Sequence, residues 1–436
     1  MKLSLGLDDV DSREGSCTTY VASFIVEGIL KAGCKLLDYP NLIRLNPNIP
    51  WKTRGNGAVA IRFEAEDAEG VFELAREVVD GFHEEGSDAG LVLLEGEVPA
   101  EVKEFSRMAL HRVLSPKRAS RLIERYGARS YSIGSGLGLI GALASIGNTL
   151  QDDYTFELLA YRRRDRWGKE RLVDPKSVIE MDVATRPYTF NNYDEETGRI
   201  LITPRGPDPV LFGIRGEYPE VLLDAMRMVR VMEEIDRYMI FRSNQGTNEH
   251  LRFRLDLGRL KAYSSGYVTG VVAEKPKIMR GGHVSFRLRN EDGEVNCMVY
   301  EPTGRLRWVA MALIPGDEVE VGGGVRKRTV KNPTALNVEY IKVLRLERLF
   351  KTENPRCPRC GGRMESMGRG QGYRCKKCGF RDRGAKKLLK EVDRGIKEGL
   401  YLPPERAHRH LTKPLRRYGL EKSGFDGKLI NGWYKF

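Results

Sequence analysis

Three carboxylates stand close together near the start of the chain, directly after a short apolar run. Residues 3–7 have the length and composition of a buried strand, and Asp8, Asp9 and Asp11 follow it. Like charges at such spacing repel one another. A hard cation such as Mg²⁺, which prefers oxygen ligands, would relieve that repulsion and attract the phosphates of a nucleotide. An aspartate-rich turn without a ligand is an equally good interpretation of this stretch alone.

Two threonines follow the carboxylates at the start of an expected helix. Residues 12–16 form a loop, and Cys17, Thr18 and Thr19 then precede an apolar helical pattern that ends near residue 32. Hydroxyl groups beside a helix N-terminus lie where phosphate is favoured. The same residues also suit a plain helix cap, so the pattern predicts either a phosphate site or a cap.

A basic loop with several glycines spans residues 44–57. Its prolines interrupt regular structure, and its glycines, including Gly57, allow a ligand to approach the backbone closely. Lys52, Arg54 and Asn56 have side chains that suit a triphosphate or an RNA backbone. A surface loop without a ligand is the alternative.

A G-x-G-x-x-G pattern is formed by Gly136, Gly138 and Gly141. A nicotinamide cofactor is disfavoured because that fingerprint needs a clear strand before it. Residues 129–133 predict only a weak strand, although the acidic Glu157 follows at a tolerable distance. The glycines therefore predict either a phosphate cradle at a helix start or tight packing of a helix.

The most specific motif is a pair of C-x-x-C knuckles, formed by Cys357, Cys360, Cys375 and Cys378. Four thiolates at this spacing predict one tetrahedral Zn²⁺ in a zinc ribbon, whose metal is structural; two redox pairs are the competing interpretation. Arg369, Tyr373 and Arg374 lie in a flexible basic loop between the knuckles, which suits RNA contact or a solvated surface.

The chain ends in a basic segment. Residues 385–398 predict a basic helix, and the RNA-contact candidates beyond it are Arg409, Lys413, Arg416 and Arg417. His408 and His410 lack acidic or cysteine neighbours, so we assign them to the same basic surface rather than to a metal site. Trp433 and Tyr434 suit either stacking on bases or anchoring of the C-terminus.

The elements that position these residues change in type along the chain. Up to about residue 258, strands and helices alternate, which predicts an α/β or α+β module. Its last strand, helix and strand resemble half of a ferredoxin-like domain, and Arg215, beside two glycines there, is a candidate for nucleotide or RNA contact or for a structural role. Residues 264–346 then predict five strands with a helix after the third, the order of an OB-fold barrel that grips oligonucleotides.

Charge is concentrated at one end. Residues 351–436 hold 23 Lys and Arg against 9 Asp and Glu, while the whole chain of 436 residues carries a net charge of +13. The remainder is therefore nearly neutral, which indicates a polyanion such as nucleic acid bound at the C-terminal end. No apolar stretch approaches the roughly 18 residues of a membrane span, and no signal peptide is evident, so we expect a cytoplasmic protein without a membrane partner.

Together these motifs resemble the archaeal 2-agmatinylcytidine synthetases that act on the AUA-decoding isoleucine tRNA. The resemblance rests on the following stretches: residues 6–12 (GLDDVDS), 17–20 (CTTY), 44–57, 138–143 (GLIGAL), 209–216 (PVLFGIRG) and the zinc ribbon. It covers nearly the whole chain in the family's domain order. One small departure is Val10, where threonine is common in the family.

The resemblance implies an ATP-dependent ligase that replaces the C2 oxygen of the wobble cytidine with agmatine, so that the anticodon reads AUA instead of AUG. It implies that a kinase-like domain phosphorylates this oxygen, that Asp8, Asp9 and Asp11 hold Mg²⁺, and that Thr18 is a phosphoacceptor. The ATP-binding candidates are then Lys52, Arg54, Asn56, Gly57, Gly136, Gly138, Gly141 and Arg215.

The expected domains are a kinase-like catalytic domain (1–195), a ferredoxin-like part that may interleave with it (196–258), the OB-fold (264–346), the zinc ribbon (354–382) and a basic tRNA-binding segment (383–436). Two alternatives remain. A non-catalytic RNA-binding protein would explain the OB-fold and the zinc ribbon but would give Asp8, Asp9 and Asp11 no function. A nucleic-acid ligase or nucleotidyltransferase would need a K-x-D-G motif, which the sequence lacks.

Overall fold

The computed structural model describes residues 1–11, 15–53, 55–330 and 332–436. Arg54, a predicted phosphate ligand, lies outside the described residues, as do residues 12–14, for which the sequence predicts a loop. The helices are α1 (Thr18–Lys31), α2 (Ala68–Phe82), α3 (Ala100–Ala109), α4 (Pro116–Arg125), α5 (Gly138–Gly147), α6 (Pro175–Thr185), α7 (Pro219–Met228) and α8 (Arg305–Ala312). Short 3₁₀ turns lie at Arg164–Arg166, Glu249–Leu251, Leu257–Arg259, Glu301–Thr303, Glu405–Ala407 and Leu415–Arg417.

One mixed sheet organises the first 250 residues. The strands of this region are β1 (Lys2–Asp8), β2 (Lys35–Leu36), β3 (Asn41–Arg44), β4 (Gly57–Glu64), β5 (Gly90–Glu95), β6 (Arg129–Ser132), β7 (Thr155–Arg162), β8 (Thr189–Phe190), β9 (Tyr193–Asp194), β10 (Arg199–Ile200), β11 (Val210–Gly216) and β12 (Ile235–Ser243). Strands β9 and β10 pair only with each other, and the others form the mixed sheet. The order is β6-β5-β1-β4-β3-β12-β7-β11-β8, with β2 beside β4. Parallel pairing of β12 with β3 joins early and late strands into one sheet.

Helix α5 packs closely against β1, β4 and β5 because glycines remove the side chains between them. A Cβ atom at Gly6 of β1 would collide with the carbonyl group of Ala142, and one at Gly138 would collide with the backbone around Asp88. Tight helix packing, one of the two interpretations of the glycine pattern, is therefore what Gly138 provides. The packing also holds the end of β1 against α5.

The predicted five-stranded barrel is confirmed. Its strands and the short β14 are β13 (Ser265–Val272), β14 (Lys277–Ile278), β15 (Val284–Asn290), β16 (Gly293–Val299), β17 (Glu318–Arg326) and β18 (Ala335–Arg345). Pairing of β13 with β15 closes the barrel, and α8 follows the third long strand as the sequence predicts. Alternate residues of these strands, such as Phe286 and Leu288, are buried in a core of their own.

The last part of the chain contains the zinc ribbon and a long return to the main sheet. Its strands are β19 (Phe350–Glu353), β20 (Met364–Ser366), β21 (Tyr373–Cys375), β22 (Arg381–Asp382), β23 (Leu388–Glu391), β24 (Gly399–Tyr401) and β25 (Tyr434–Lys435). The predicted helix at residues 385–398 is wrong. Residues 388–391 are a strand because their backbone pairs with β19, and Gly395 adopts a left-handed conformation shortly after them.

The C-terminus is anchored to the body. Strand β25 pairs with β12, and Trp433 is buried with its ring 5.5 Å from that of Tyr39. Of the two interpretations of Trp433, anchoring is the one that the structure supports. No helix among the described residues is long and apolar enough to cross a membrane.

Candidate functional site

A cleft of about 640 Å³ opens at the end of β1 and collects most of the predicted cleft residues. Those in its lining are Asp8, Asp9, Asp11, Thr18, Lys52, Asn56, Gly57, Gly141 and Arg215. Gly136 and Gly138 do not line it. The cleft is also lined by residues that the sequence did not single out for this role, namely Cys17, Arg44, Thr53, Arg112, Glu157, Asp208 and His410.

One side of the cleft, which we call the acidic wall, consists of Asp8, Asp9 and Asp11. Burial and the charges of Asp9 and Asp11 raise the pKa of Asp8 well above its usual range. Gly141 of α5 makes room for this carboxylate, because a Cβ atom there would collide with it.

Asp9 is held in a particular geometry. Burial, with smaller contributions from neighbouring acids such as Asp11, raises its pKa to about 6. Thr53 Oγ1 donates a hydrogen bond of 2.9 Å to Asp9 Oδ1. The backbone of Asp9 lies in the left-handed region at φ 56°, a conformation that Asn and Asp tolerate better than most residues.

The acidic wall has the chemistry of a magnesium site but not the shape of a closed one. Carboxylate oxygens are the ligands that Mg²⁺ prefers, and their mutual repulsion favours a cation between them. Among the described residues, however, only the four ribbon cysteines bring three or more donor atoms within 4.8 Å of one another. The carboxylates therefore fit a Mg²⁺ ion whose coordination is completed by water and phosphate, as is usual for this metal.

Thr18 opens helix α1 beside the acidic wall. Its Oγ1 donates a hydrogen bond of 3.0 Å to Asp11 Oδ1, and the residue is only 4% exposed. Burial, together with the charges of Asp11 and Asp208, raises the pKa of the neighbouring Cys17 thiol to about 11. Cys17 is therefore a neutral thiol at physiological pH, and Thr18 is the hydroxyl that a carboxylate orients.

The opposite side, which we call the basic wall, consists of Arg44, Arg215 and His410 around the buried Glu157. Arg215 Nε donates to Glu157 Oε1 at 2.9 Å, and Arg44 Nη2 lies 3.7 Å from Glu157 Oε2. Although burial opposes the shift, these two guanidinium groups lower the pKa of Glu157. The position of Glu157 in the sequence is compatible with the acidic residue of a dinucleotide-binding fingerprint. In the structure, this residue is instead the counter-ion of Arg44 and Arg215.

Lys52 and Asn56 lie between the two walls. Burial and the charge of Arg409 lower the pKa of Lys52. Asn56 donates through Nδ2 to the carbonyl oxygen of Asn46 at 2.7 Å, which fixes the loop before β4. Lys52 thus lines the cleft, whereas the Asn56 amide group holds the loop before β4.

The two C-terminal histidines, which the sequence assigns to the basic surface, are half-buried among arginines beside the cleft. Burial lowers the pKa of His408 to about 4, and its Nε2 lies 2.9 Å from the carbonyl oxygen of Pro403. Burial and the charges of Arg44 and Arg215 lower the pKa of His410 well below its usual range. Both rings are neutral because they are packed among arginines and backbone.

The predicted RNA contacts of the tail are mostly engaged in ion pairs within the chain. Arg417 is fully buried between Glu217 and Asp153, and Lys413 is buried beside Asp153 and Glu421. Arg416 pairs with Asp182 and Glu405, and Arg409 with Glu339. The charges of this segment therefore bind it to the body, and the sequence could not reveal these distant acidic partners.

The four cysteines of the ribbon come together as predicted. The sulfur atoms of Cys357 and Cys378 lie 3.5 Å apart, and those of Cys360 and Cys375 lie 3.4 Å apart. Four thiolates at these distances fit one tetrahedral Zn²⁺ with no open position, which is a structural site. Of the predicted RNA contacts in this domain, Arg369 and Arg374 are exposed, while Tyr373 is buried in the ribbon core.

Comparison with known proteins matches three parts of the chain to domains of one protein family. Family models match at residues 4–70 (TiaS TCKD domain), 136–250 (TiaS FLD domain) and 354–396 (TiaS C-terminal zinc ribbon domain). The tRNA 2-agmatinylcytidine synthetase TiaS of Cenarchaeum symbiosum is 42% identical over 429 residues, which cover 98% of this chain and 95% of the relative.

Two solved structures extend the likeness to the fold. The crystal structure of TiaS in complex with its isoleucine tRNA and ATP superposes with a TM-score of 0.85 at 38% identity. That of TiaS in complex with the same tRNA, AMPCPP and agmatine superposes with a TM-score of 0.83 at 36% identity. Each match covers 99% of this chain and 99% of the other.

Proposed function

The chain belongs to the tRNA 2-agmatinylcytidine synthetase (TiaS) family, and on this premise we propose that it uses ATP to attach agmatine to the wobble cytidine of the AUA-decoding isoleucine tRNA. The observation that carries the proposal is the meeting of the acidic wall, the Thr18 hydroxyl and the basic wall in a single cleft. We infer the substrates from the names and bound ligands of the relatives. The cleft provides the side chains that suit phosphoryl transfer.

The reaction needs an activated oxygen because an amide-like oxygen is a poor leaving group. In the first step, the bond from the γ-phosphorus of ATP to its bridging oxygen breaks, and a new bond forms to the C2 oxygen of cytidine. The primary amine of agmatine then attacks C2 and loses a proton, and the C2–oxygen bond breaks to release inorganic phosphate. Phosphoryl transfer of this kind depends on positioning and charge stabilisation more than on protein nucleophiles.

The two walls divide these tasks. Asp8, Asp9 and Asp11 would hold Mg²⁺, which neutralises phosphate charge when it is bound. On the other side, the basic wall and Lys52 bind and orient the polyphosphate. Gly141 keeps the Asp8 carboxylate close to α5, so that the acidic wall keeps its shape.

Thr18 is a phosphoacceptor of the same site. Its hydroxyl already donates to Asp11, which is the geometry required for a carboxylate to remove the hydroxyl proton as phosphate is transferred. The phosphothreonine would then stand at the N-terminus of α1, where the helix dipole favours negative charge.

Residues 1–195 and 196–258 act as one catalytic body, because β12 lies between β3 and β7 in the common sheet. The barrel and the exposed Arg369 and Arg374 of the ribbon bind the tRNA outside the cleft, and the wobble base is turned out of the anticodon loop into it. Because its substrate is a tRNA, the enzyme acts in the cytoplasm of an archaeal cell.

The test uses the full chain with radiolabelled agmatine, ATP, Mg²⁺ and total archaeal tRNA. We expect label in a single isoleucine tRNA species, and none when ATP is omitted or when the wobble cytidine of a transcript is replaced by uridine. If tRNA binds tightly but no label is incorporated with any divalent metal, the proposal fails and the non-catalytic RNA-binding alternative replaces it.

A further inference from the structure

The C-terminal segment contributes a side chain to the cleft. Residues 402–418 cross the catalytic body, and backbone bonds fix them there: Gly246 N donates to His410 O at 2.9 Å, and Asn248 N donates to Leu411 O at 2.8 Å. The buried Arg417 ion pairs hold the next turn of the segment. His410 is thus a rigid part of the site although it lies far from the other cleft residues in sequence.

The neighbours of the His410 ring decide which of its nitrogens carries the proton. Nδ1 lies 2.8 Å from Arg215 Nη2 and 3.1 Å from Gln245 Oε1. Gln245 donates through Nε2 to Glu157, so its Oε1 faces Nδ1 as an acceptor. A guanidinium group only donates hydrogen bonds, and it is the closer and charged neighbour, so we assign the acceptor role to Nδ1. The proton of the neutral imidazole is therefore on Nε2.

Nε2 lies beside Gly55 and Arg44, and all three residues line the cleft. The two side chains pack against the Gly55 backbone because this residue has no Cβ atom, which would lie 2.9 Å from His410 Nε2 and 2.7 Å from Arg44 Nη1. Within the described residues, His410 Nε2 has no hydrogen-bond partner of its own. An N–H group without a partner next to an arginine donor is suited to an anionic oxygen.

We propose that His410 binds an ATP phosphate oxygen through its Nε2–H, beside Arg44 and above Gly55. This inference rests on the proposed function, since it takes ATP as the ligand of the cleft. A neutral donor adds no third positive charge to Arg44 and Arg215, which share the single carboxylate of Glu157 when no nucleotide is bound. The C-terminal segment is then part of the nucleotide site.

Two substitutions separate the roles of the two ring nitrogens. The side-chain amide of Gln reaches the position of Nε2, whereas that of Asn reaches only the position of Nδ1. We expect His410→Asn to raise the dissociation constant of a fluorescent ATP analogue about 10- to 100-fold, the usual effect of losing one charge-assisted hydrogen bond. We expect His410→Gln to recover most of that loss. His283→Asn, in the barrel, is the matched control and should leave ATP binding unchanged.

The ATP-binding measurement needs neither agmatine nor tRNA, so its outcome is independent of the incorporation assay that tests the proposed function; the tRNA affinity of the same variants is measured separately. Equal loss of ATP binding in both His410 variants would mean that the ring only supports Arg215, and equal retention would mean that it touches no phosphate. A loss of tRNA affinity with intact ATP binding would assign His410 to the RNA backbone instead. Each of these three results overturns the inference, and a ¹⁵N spectrum showing the proton on Nδ1 would do so as well.

Discussion

The two walls of the cleft balance their charges in opposite ways. On the acidic wall, three carboxylates face one another, and burial together with mutual repulsion raises the pKa values of Asp8 and Asp9. On the basic wall, Glu157 lies between Arg44 and Arg215, and its pKa is lowered. The basic wall therefore holds a carboxylate of the chain between its two arginines, whereas the neighbouring carboxylates of the acidic wall disfavour one another's charged forms. Removing a charge should consequently have opposite effects on stability on the two sides.

The largest effect is expected from Asp9→Asn. It removes a carboxylate from the acidic wall, so we expect ATP turnover to fall by about 10³-fold or more while tRNA affinity stays unchanged. Asn tolerates the left-handed backbone at this position, and Oδ1 can still accept from Thr53. Without Mg²⁺ the variant should unfold at a higher temperature than the parent, because one repulsive charge is gone. Parallel loss of turnover and tRNA binding would show instead that the cluster is structural.

Glu157→Gln is the converse change on the basic wall. It leaves two half-buried guanidinium groups without the buried carboxylate that they share, and breaking a buried pair in this way costs about 3–5 kcal/mol. We expect the free energy of unfolding in urea to fall by about that amount, with or without Mg²⁺. Glu97→Gln, which removes an exposed partner of Lys2, is the control and should leave stability nearly unchanged. If Glu157→Gln were stabilising, the contrast between the walls would be lost.

A pH effect of similar size is expected from His408, which is half-buried next to the basic wall. Its pKa is about 4 in the folded chain and about 6.5 when unfolded, so the unfolded state binds the proton more readily. Stability is therefore fully present above pH 6.5 and is lost as the pH falls toward 4, by about 3 kcal/mol at most. His408→Gln retains a donor for the Pro403 carbonyl and should flatten this part of the curve. An unchanged slope in urea unfolding between pH 4 and 6.5 would exclude His408 as its source.

The smallest effect concerns a region away from both walls. Cys360→Ser should release zinc, detected by metal analysis, and weaken tRNA binding by about 10-fold because the exposed arginines of the ribbon lose their framework. ATP binding should not change, since the cleft has its own core. Cys34→Ser, which alters a cysteine outside the ribbon, is the control. Unchanged tRNA affinity in the zinc-free variant would show that the ribbon is not a tRNA contact.

The contrast between the walls also explains what the sequence could predict. Asp8, Asp9, Asp11 and Thr18 lie within eleven residues, so their chemistry is visible in one stretch. The cysteine spacing and the five-strand pattern are equally local, and both predictions are confirmed. The basic wall depends instead on contacts between residues far apart, since Arg215 is 58 residues from Glu157 and 195 from His410. No periodicity or spacing rule connects such positions; only the fold does.

Residues 385–398 illustrate the same limit for secondary structure. Their composition, with Lys, Leu and Glu in a helical rhythm, favours a helix by local propensity. The edge of β19 nevertheless captures residues 388–391 as a strand, because pairing with a neighbouring segment outweighs an intrinsic preference of a few tenths of a kcal/mol per residue. The helical preference of residues 385–398 can be read from their composition, whereas the pairing of residues 388–391 with β19 is visible only in the fold.

The course of the C-terminal segment has a consequence for how the protein is made. Strand β12 pairs with β3, which is synthesised early, and with β25, which is synthesised long after the barrel and the ribbon. His410 reaches the cleft only when this segment is in place. A nascent chain that has grown only as far as the ribbon can thus fold its barrel and its zinc site while its nucleotide site is still unfinished. Synthesis of the segment that carries His410 is therefore the step that completes the lining of the cleft.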